Sequence, residues 1–98
     1  MTRGGEFDEA VYAIVAAIPP GCVATYGLIA LWMGSPNHSR RVGSALRHAP
    51  EGLPCHRVVN AKGETAPGWA EQKELLRAEG ITFKENGCVD IKKHGRRP

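Results

Sequence analysis

"TYGLIALWMGSPNHSRRVGSALRHA", Thr25 to Ala49, reads as two short helices separated by a break. Leu28, Ile29, Leu31 and Trp32 recur at helical spacing behind Thr25, whose hydroxyl suits an N-cap, and Gly34 is a natural left-handed terminator. After the turn residues "GSPN", Val42, Ala45 and Leu46 repeat on one face of a second segment, leaving Arg40, Arg41 and Arg47 outside it. Two short helices about a Gly-containing turn, the second of them basic, form a helix-turn-helix pattern. Ordinary core hairpins share that pattern, so DNA binding needs support from the rest of the chain.

Upstream, "FDEAVYAIVAAI" puts Phe7, Val11, Ile14, Val15 and Ile18 at helical spacing, with Asp8 and Glu9 in the favourable first turn and "PPG" at Pro19 to Gly21 as the stop. Downstream, "CHRVV" from Cys55 reads as a short buried strand and "NAKG" as a turn. "GWAEQKELLRAEG" is a further amphipathic helix in which Leu75, Leu76 and Ala78 pack and Gly80 caps. "ITFKENGCVDI" alternates about Asn86-Gly87, a strong hairpin signal. The expected fold is mostly α with small β: a winged helix-turn-helix of three or four helices plus a short C-terminal hairpin. One domain is expected over residues 1–92, followed by a basic flexible tail, 93–98, able to touch phosphates.

The 98 residues are near the lower end of what one core stabilises, so any site must be a surface or a shallow groove. No stretch approaches the ~20 apolar residues of a membrane span, and "MTRGGEFDEA" lacks the apolar run of a secretory signal. A soluble, cytoplasmic, bacterial-type protein is expected, without membrane partners and monomeric. Cys22, Cys55 and Cys88 are an odd number at wide spacing, which suits neither a disulfide framework nor a metal site. No cofactor is indicated. Net charge is only +3, but residues 36–62 hold Arg40, Arg41, Arg47, Arg57 and Lys62 against Glu51 alone. Such a basic face is often merely solvated; beside a helix-turn-helix pattern it favours a polyanion such as nucleic acid.

"LPCHRVVN", Leu53 to Asn60, carries the chemistry. A cysteine attacks as its thiolate and needs a base or a positive field, which His56 and Arg57 supply. In an extended segment adjacent side chains point apart, so proton transfer from Cys55 to His56 calls for a bridging water. The histidine needs an orienting acid, and Glu79 is among the acids that folding could bring near it. The competing reading makes Cys55 a small core residue and His56 with Arg57 a structural pair. Cys22, with nothing basic beside it, and Cys88, which follows the hairpin turn, are expected to be core residues.

With these residues in view the chain resembles the C-terminal DNA-binding domain of O6-alkylguanine-DNA alkyltransferases and their shorter relatives, the alkyltransferase-like proteins. The likeness runs from about Phe7 to Phe83 through "TYGLIA", "SRRVGSAL", "PCHRVVN" and "KELLRAEG" in order. It implies a helix-turn-helix that enters the minor groove of double-stranded DNA and a damaged guanine rotated out of the stack. By position, the resemblance assigns Tyr26 to the phosphate beside the flipped nucleotide and Arg40 to the gap left in the duplex. Arg41, Gly43, Ser44 and Arg47 complete the expected DNA-binding set, the small residues letting the helix approach closely. Cys55 falls on the alkyl acceptor, His56 on the water-linked base and Glu79 on the acid that orients it, while Pro54, Arg57 and Val58 support the pocket.

The reaction so implied is irreversible transfer of the alkyl group from O6-alkylguanine to Cys55, one lesion per protein molecule. Some features depart from the transferases: "AP" at Ala49-Pro50 where many have Asn-Pro, a loop "GETAPGWAEQK" without the usual tyrosine and serine, and no counterpart of their N-terminal domain. The alkyltransferase-like group implies an alternative, a sensor that binds the lesion without transfer and passes it to nucleotide excision repair proteins. That group usually has Trp or Ala where Cys55 stands, so the cysteine favours transfer. A third reading, from another class, is a regulator that uses the fold to bind undamaged sequence.

Overall fold

A computed structural model describes residues 4–95. Helix α1, Gly4–Ala16, buries Val11 and Val15, and the chain tightens just past its end, where the Ala17 and Ile18 amides donate to Ile14 and Val15 and Ile18 is buried too. Strand β1, Ala24–Thr25, leads straight into α2, Tyr26–Trp32. Thr25 is the N-cap, its Oγ1 accepting from the Leu28 amide at 3.0 Å. Gly34, at φ +75°, ends the helix while the Ser35 amide reaches back to the Ala30 carbonyl, a closure that favours glycine. Helix α3, Ser39–Arg47, lays Val42 and Ala45 against α1 and α2 and leaves its arginines exposed. The Tyr12 hydroxyl donates to the Ala45 carbonyl at 2.8 Å, tying α1 to α3.

Strand β2, Val58–Val59, pairs in parallel with β1, Ala24 opposite Val58 and Thr25 opposite Val59. Side chains alternate across this two-residue ladder, so Ala24 and Val58 join the cluster of α1, α2 and α3. Val23 and Val59 face a second cluster with Leu76, Ile81 and Val89. Helix α4 is Glu71–Ala78, and one further turn, α5, is Ile91–His94.

The mostly helical fold with small β, built on a helix-turn-helix, is the expected class, and several details differ. "CHRVV" is not one strand: Cys55–Arg57 is a 3-10 turn and only Val58–Val59 is extended. Pro54, which fixes its own φ, starts that turn, and its carbonyl accepts from the Arg57 amide at 3.0 Å. The C-terminal hairpin contracts to one antiparallel bridge, Phe83 with Val89, flanked by the Lys84 amide on the Cys88 carbonyl at 2.8 Å and the Asp90 amide on the Thr82 carbonyl at 3.2 Å, while the outward Val89 amide donates to the Gly63 carbonyl at 2.8 Å. The described residues contain five helices rather than three or four. The fifth includes Lys93 and His94, expected in the flexible tail, and the His94 carbonyl accepts from the Val23 amide at 2.9 Å. The rest of that tail, 96–98, lies outside the described residues.

On α4, Leu75 and Ala78 are exposed, not packed. The inward stripe is Gln72, Leu76 and Glu79, spaced i, i+4 and i+7, and two of its three members are polar. No helix of the described residues is long and apolar enough to cross a membrane.

Candidate DNA-lesion site

Three features of the chain converge on one cleft. The β1–β2 pairing sets Tyr26, the first residue of α2, beside the turn that carries Cys55. Helix α3 adds Gly43, Leu46 and Arg47, and the segment before α4 adds Ala66 and Trp69, with Gln72 behind them. The cleft so enclosed measures about 170 Å³, with Cys55 and Val58 in its lining. Cys55 is half-buried, and that burial pushes its thiol above the ordinary cysteine range, against a smaller opposing pull from a backbone hydrogen bond. Tyr26 is raised likewise by burial.

In the 3-10 turn, successive side chains diverge by about 120°. Cys55 enters the cleft while His56 turns to α4, where its Nε2 lies 2.8 Å from Glu79 Oε2. Glu79 is the C-cap of α4, presented by the left-handed Gly80 at φ +85°, which lets the Ile81 amide close back on Leu76. Arg57 bonds the same carboxylate through Nε, at 2.9 and 3.2 Å, and through Nη2 at 2.7 Å. Its Nη1 donates at 2.8 Å to the carbonyl of Ile18, two residues past the end of α1. Arg57 holds the Glu79 carboxyl well down, to about 2, with His56 contributing less and burial opposing both.

An ionised carboxylate only accepts, so His56 Nε2 carries a hydrogen, and Nδ1 of the neutral ring is left as the lone-pair nitrogen. Glu79 is thereby the acid that meets His56, and Arg57 is spent inside this network rather than on the basic face where its charge was counted.

Helix α3 carries the other expected residues. Arg40, Gly43, Ser44 and Arg47 follow i, i+3, i+4, i+7 spacing, one stripe with two small residues between two guanidinium groups. Arg41 lies beside it, its guanidinium 4.2 Å from the centre of the Phe7 ring, which itself meets His38 edge-on. A Cβ on Gly43 would meet only the Tyr26 ring, at an ordinary 3.8 Å, so the fold does not demand glycine there. Arg47 reaches the cleft; Arg40, Arg41 and Ser44 do not line it, and neither does Pro54. Cys88 is buried as expected and Cys22 half-buried. Among the described residues no three His, Cys, Asp or Glu side chains gather as a metal site.

The residues that sequence reasoning missed are Ala66, Trp69 and Gln72. Gln72 left a signal, because it stands four residues before Leu76 on the inward stripe, where a buried polar residue implies a hydrogen-bonding task.

Residues 6–81 match the family model described as the DNA-binding domain of 6-O-methylguanine DNA methyltransferase. A DNA base-flipping protein of Escherichia coli is 42% identical, covering 96% of this chain and 77% of that protein. Alkyltransferase-like protein 1 of Schizosaccharomyces pombe is 38% identical, over 92% of this chain and 90% of its own length. The crystal structure of S. pombe Atl1 with damaged DNA containing O6-carboxymethylguanine superimposes with a TM-score of 0.85 at 33% identity, covering 96% and 97% of the two chains. Mycobacterium tuberculosis OGT in complex with DNA gives 0.69 at 35% identity, covering 76% of this chain and 49% of that one. A helix-turn-helix with a small-residue stripe, a cleft between that helix and a Pro-Cys-His-Arg turn, and these matches lead to one conclusion: the chain belongs to the O6-methylguanine DNA methyltransferase DNA-binding domain family, among DNA-binding alkyltransferase-like and base-flipping proteins.

Proposed function

We propose that this protein binds double-stranded DNA through α3, receives an extrahelical O6-alkylguanine in the cleft and transfers the alkyl group to Cys55. The observation that carries the reading is that Cys55 lines a cleft whose opposite wall is the arginine-bearing helix. In the proposed binding mode, Gly43 and Ser44 let α3 sit close in the minor groove, Arg40 fills the vacated base position and Tyr26 turns the flanking phosphate. Arg41 and Arg47 add attraction to the backbone.

Burial keeps the resting thiol protonated, so activation depends on a proton acceptor within the closed complex. Because Cys55 and His56 diverge, the proton passes through a water to His56 Nδ1, while Glu79 fixes the ring and stabilises the imidazolium. The sulfur–carbon bond forms as the carbon–O6 bond breaks. The electron pair moves to the purine oxygen, the proton ends on the departing guanine, and a stable thioether remains. Each molecule acts once, with Cys55, His56 and Glu79 as its catalytic residues.

DNA bearing labelled O6-methylguanine should leave one label per protein on Cys55, abolished by Cys55→Ser. A second reading has one observation in its favour: alkyltransferase-like and base-flipping relatives cover 92–96% of this chain. On that reading the protein is a sensor that holds the lesion for nucleotide excision repair. Stable complexes with the methyl group still on guanine after long incubation would establish it and end the transfer reading.

A further inference from the structure

Gln72 is 1% exposed and, among the described residues, is the polar side chain in the core. Its Oε1 accepts from the Ala66 amide at 2.6 Å, and its Nε2 donates to the carbonyls of His56 and Val58, each at 3.0 Å. These partners fix the amide's orientation, because a backbone N–H can only donate and a carbonyl only accept. A leucine could fill the same volume above Leu76, so packing alone does not call for an amide here. The three bonded groups belong to the two sides of the cleft. His56 is the middle residue of the Cys55–Arg57 turn and Val58 follows it, while Ala66 begins the wall that ends in Trp69.

We propose that Gln72 is a positioning residue. It sets the gap between the Cys55 turn and the Ala66–Trp69 wall, and through that gap the discrimination between O6-alkylguanine and unmodified guanine. The discrimination half rests on the function proposed above; the gap itself does not.

The experiment uses the full chain and reads two quantities. The first is the rate at which iodoacetamide modifies Cys55 without DNA, followed by peptide mass so that Cys22 and Cys88 are scored separately. The second is the ratio of affinities for O6-methylguanine DNA and for unmodified DNA. In Gln72→Leu, which loses all three hydrogen bonds, the freed turn should expose the thiol and raise the first about tenfold, with a similar fall in the second, the size of effect that a single buried hydrogen bond carries. A folded Gln72→Leu protein with an unchanged Cys55 rate overturns the proposal, and so does equal loss of both affinities, which would mark a merely structural role.

Gln72→Glu provides an independent test should the leucine variant not fold. Its carboxylate keeps the Ala66 bond but cannot donate to the two carbonyls, and lowering the pH restores one donor. The Cys55 rate relative to wild type at the same pH should therefore return toward one as pH falls, and no return overturns the proposal. If the wild-type protein shows no preference for the lesion, the functional reading fails and the Cys55 rates alone decide the role of Gln72.

Discussion

Cys55 is held in a chemically quiet state by the residues around it. Burial favours the neutral thiol, so without DNA its alkylation by iodoacetamide should rise with pH to a midpoint above the ordinary cysteine value of ~8.5. A midpoint at or below that value would contradict the desolvated environment. Gly43 makes the opposite kind of statement, being a residue the fold tolerates replacing. Gly43→Ala adds a methyl group at ordinary contact distance from Tyr26 and removes helix-interior glycine, so stability should hold or rise by up to ~1 kcal/mol. In the proposed binding mode DNA affinity should fall nonetheless, because the added methyl fills space beside Tyr26 on the face of α3 that approaches the groove. Thermal melts beside binding isotherms check both halves, and unchanged affinity would remove Gly43 from the interface.

At the scale of elements, α3 packs inward through Val42 and Ala45 and presents a stripe of small and cationic residues outward. Arg40→Ala should weaken binding to DNA with an extrahelical base and reduce the salt slope by about one ion, as expected for one lost phosphate-proximal charge. Phe7→Leu should act on the same surface indirectly, since it removes the ring that holds Arg41 and costs ~0.5–1 kcal/mol of that arrangement. The first four helices, the Thr25 cap and the Gly34 and Gly80 stops were legible in the sequence because they rest on local periodicity and local stereochemistry, which the four-residue α5 is too short to show. The Cys55–Arg57 turn was not, because β-branched Val58 and Val59 announce a strand whose first three residues are diverted by Pro54 and by contacts to α4. Leu75 misled for a related reason: apolar periodicity cannot see that the inward face of α4 is spent on Gln72 and Glu79. Cys55, His56 and Glu79 were nameable as a set only by resemblance, since nothing local joins residues 56 and 79.

At the scale of the whole molecule, Glu79 couples the site to stability. Its folded pKa near 2 lies below the ordinary 4.5, so its contribution is fully present above about pH 4.5 and is lost as pH falls toward 2. The amount is on the order of 3 kcal/mol. Glu79→Gln should therefore be less stable at neutral pH and show a flatter acid-unfolding profile, measurable by denaturant midpoints between pH 7 and 3. An identical profile in the two proteins would place the stabilisation elsewhere.

Arg57 has a consequence for the order in which the molecule comes into being. One guanidinium joins the end of α1, 39 residues away, to the end of α4, 22 residues away in the other direction. Contacts so distant along the chain close late, after the loops between them have collapsed. A nascent or half-refolded chain therefore has a cysteine but no oriented imidazole beside it, and its sulfur is chemically ordinary until α4 docks. Folding thus does two opposite things to this sulfur: it desolvates the thiol and, on the proposed function, delivers the imidazole relay that can ionise it.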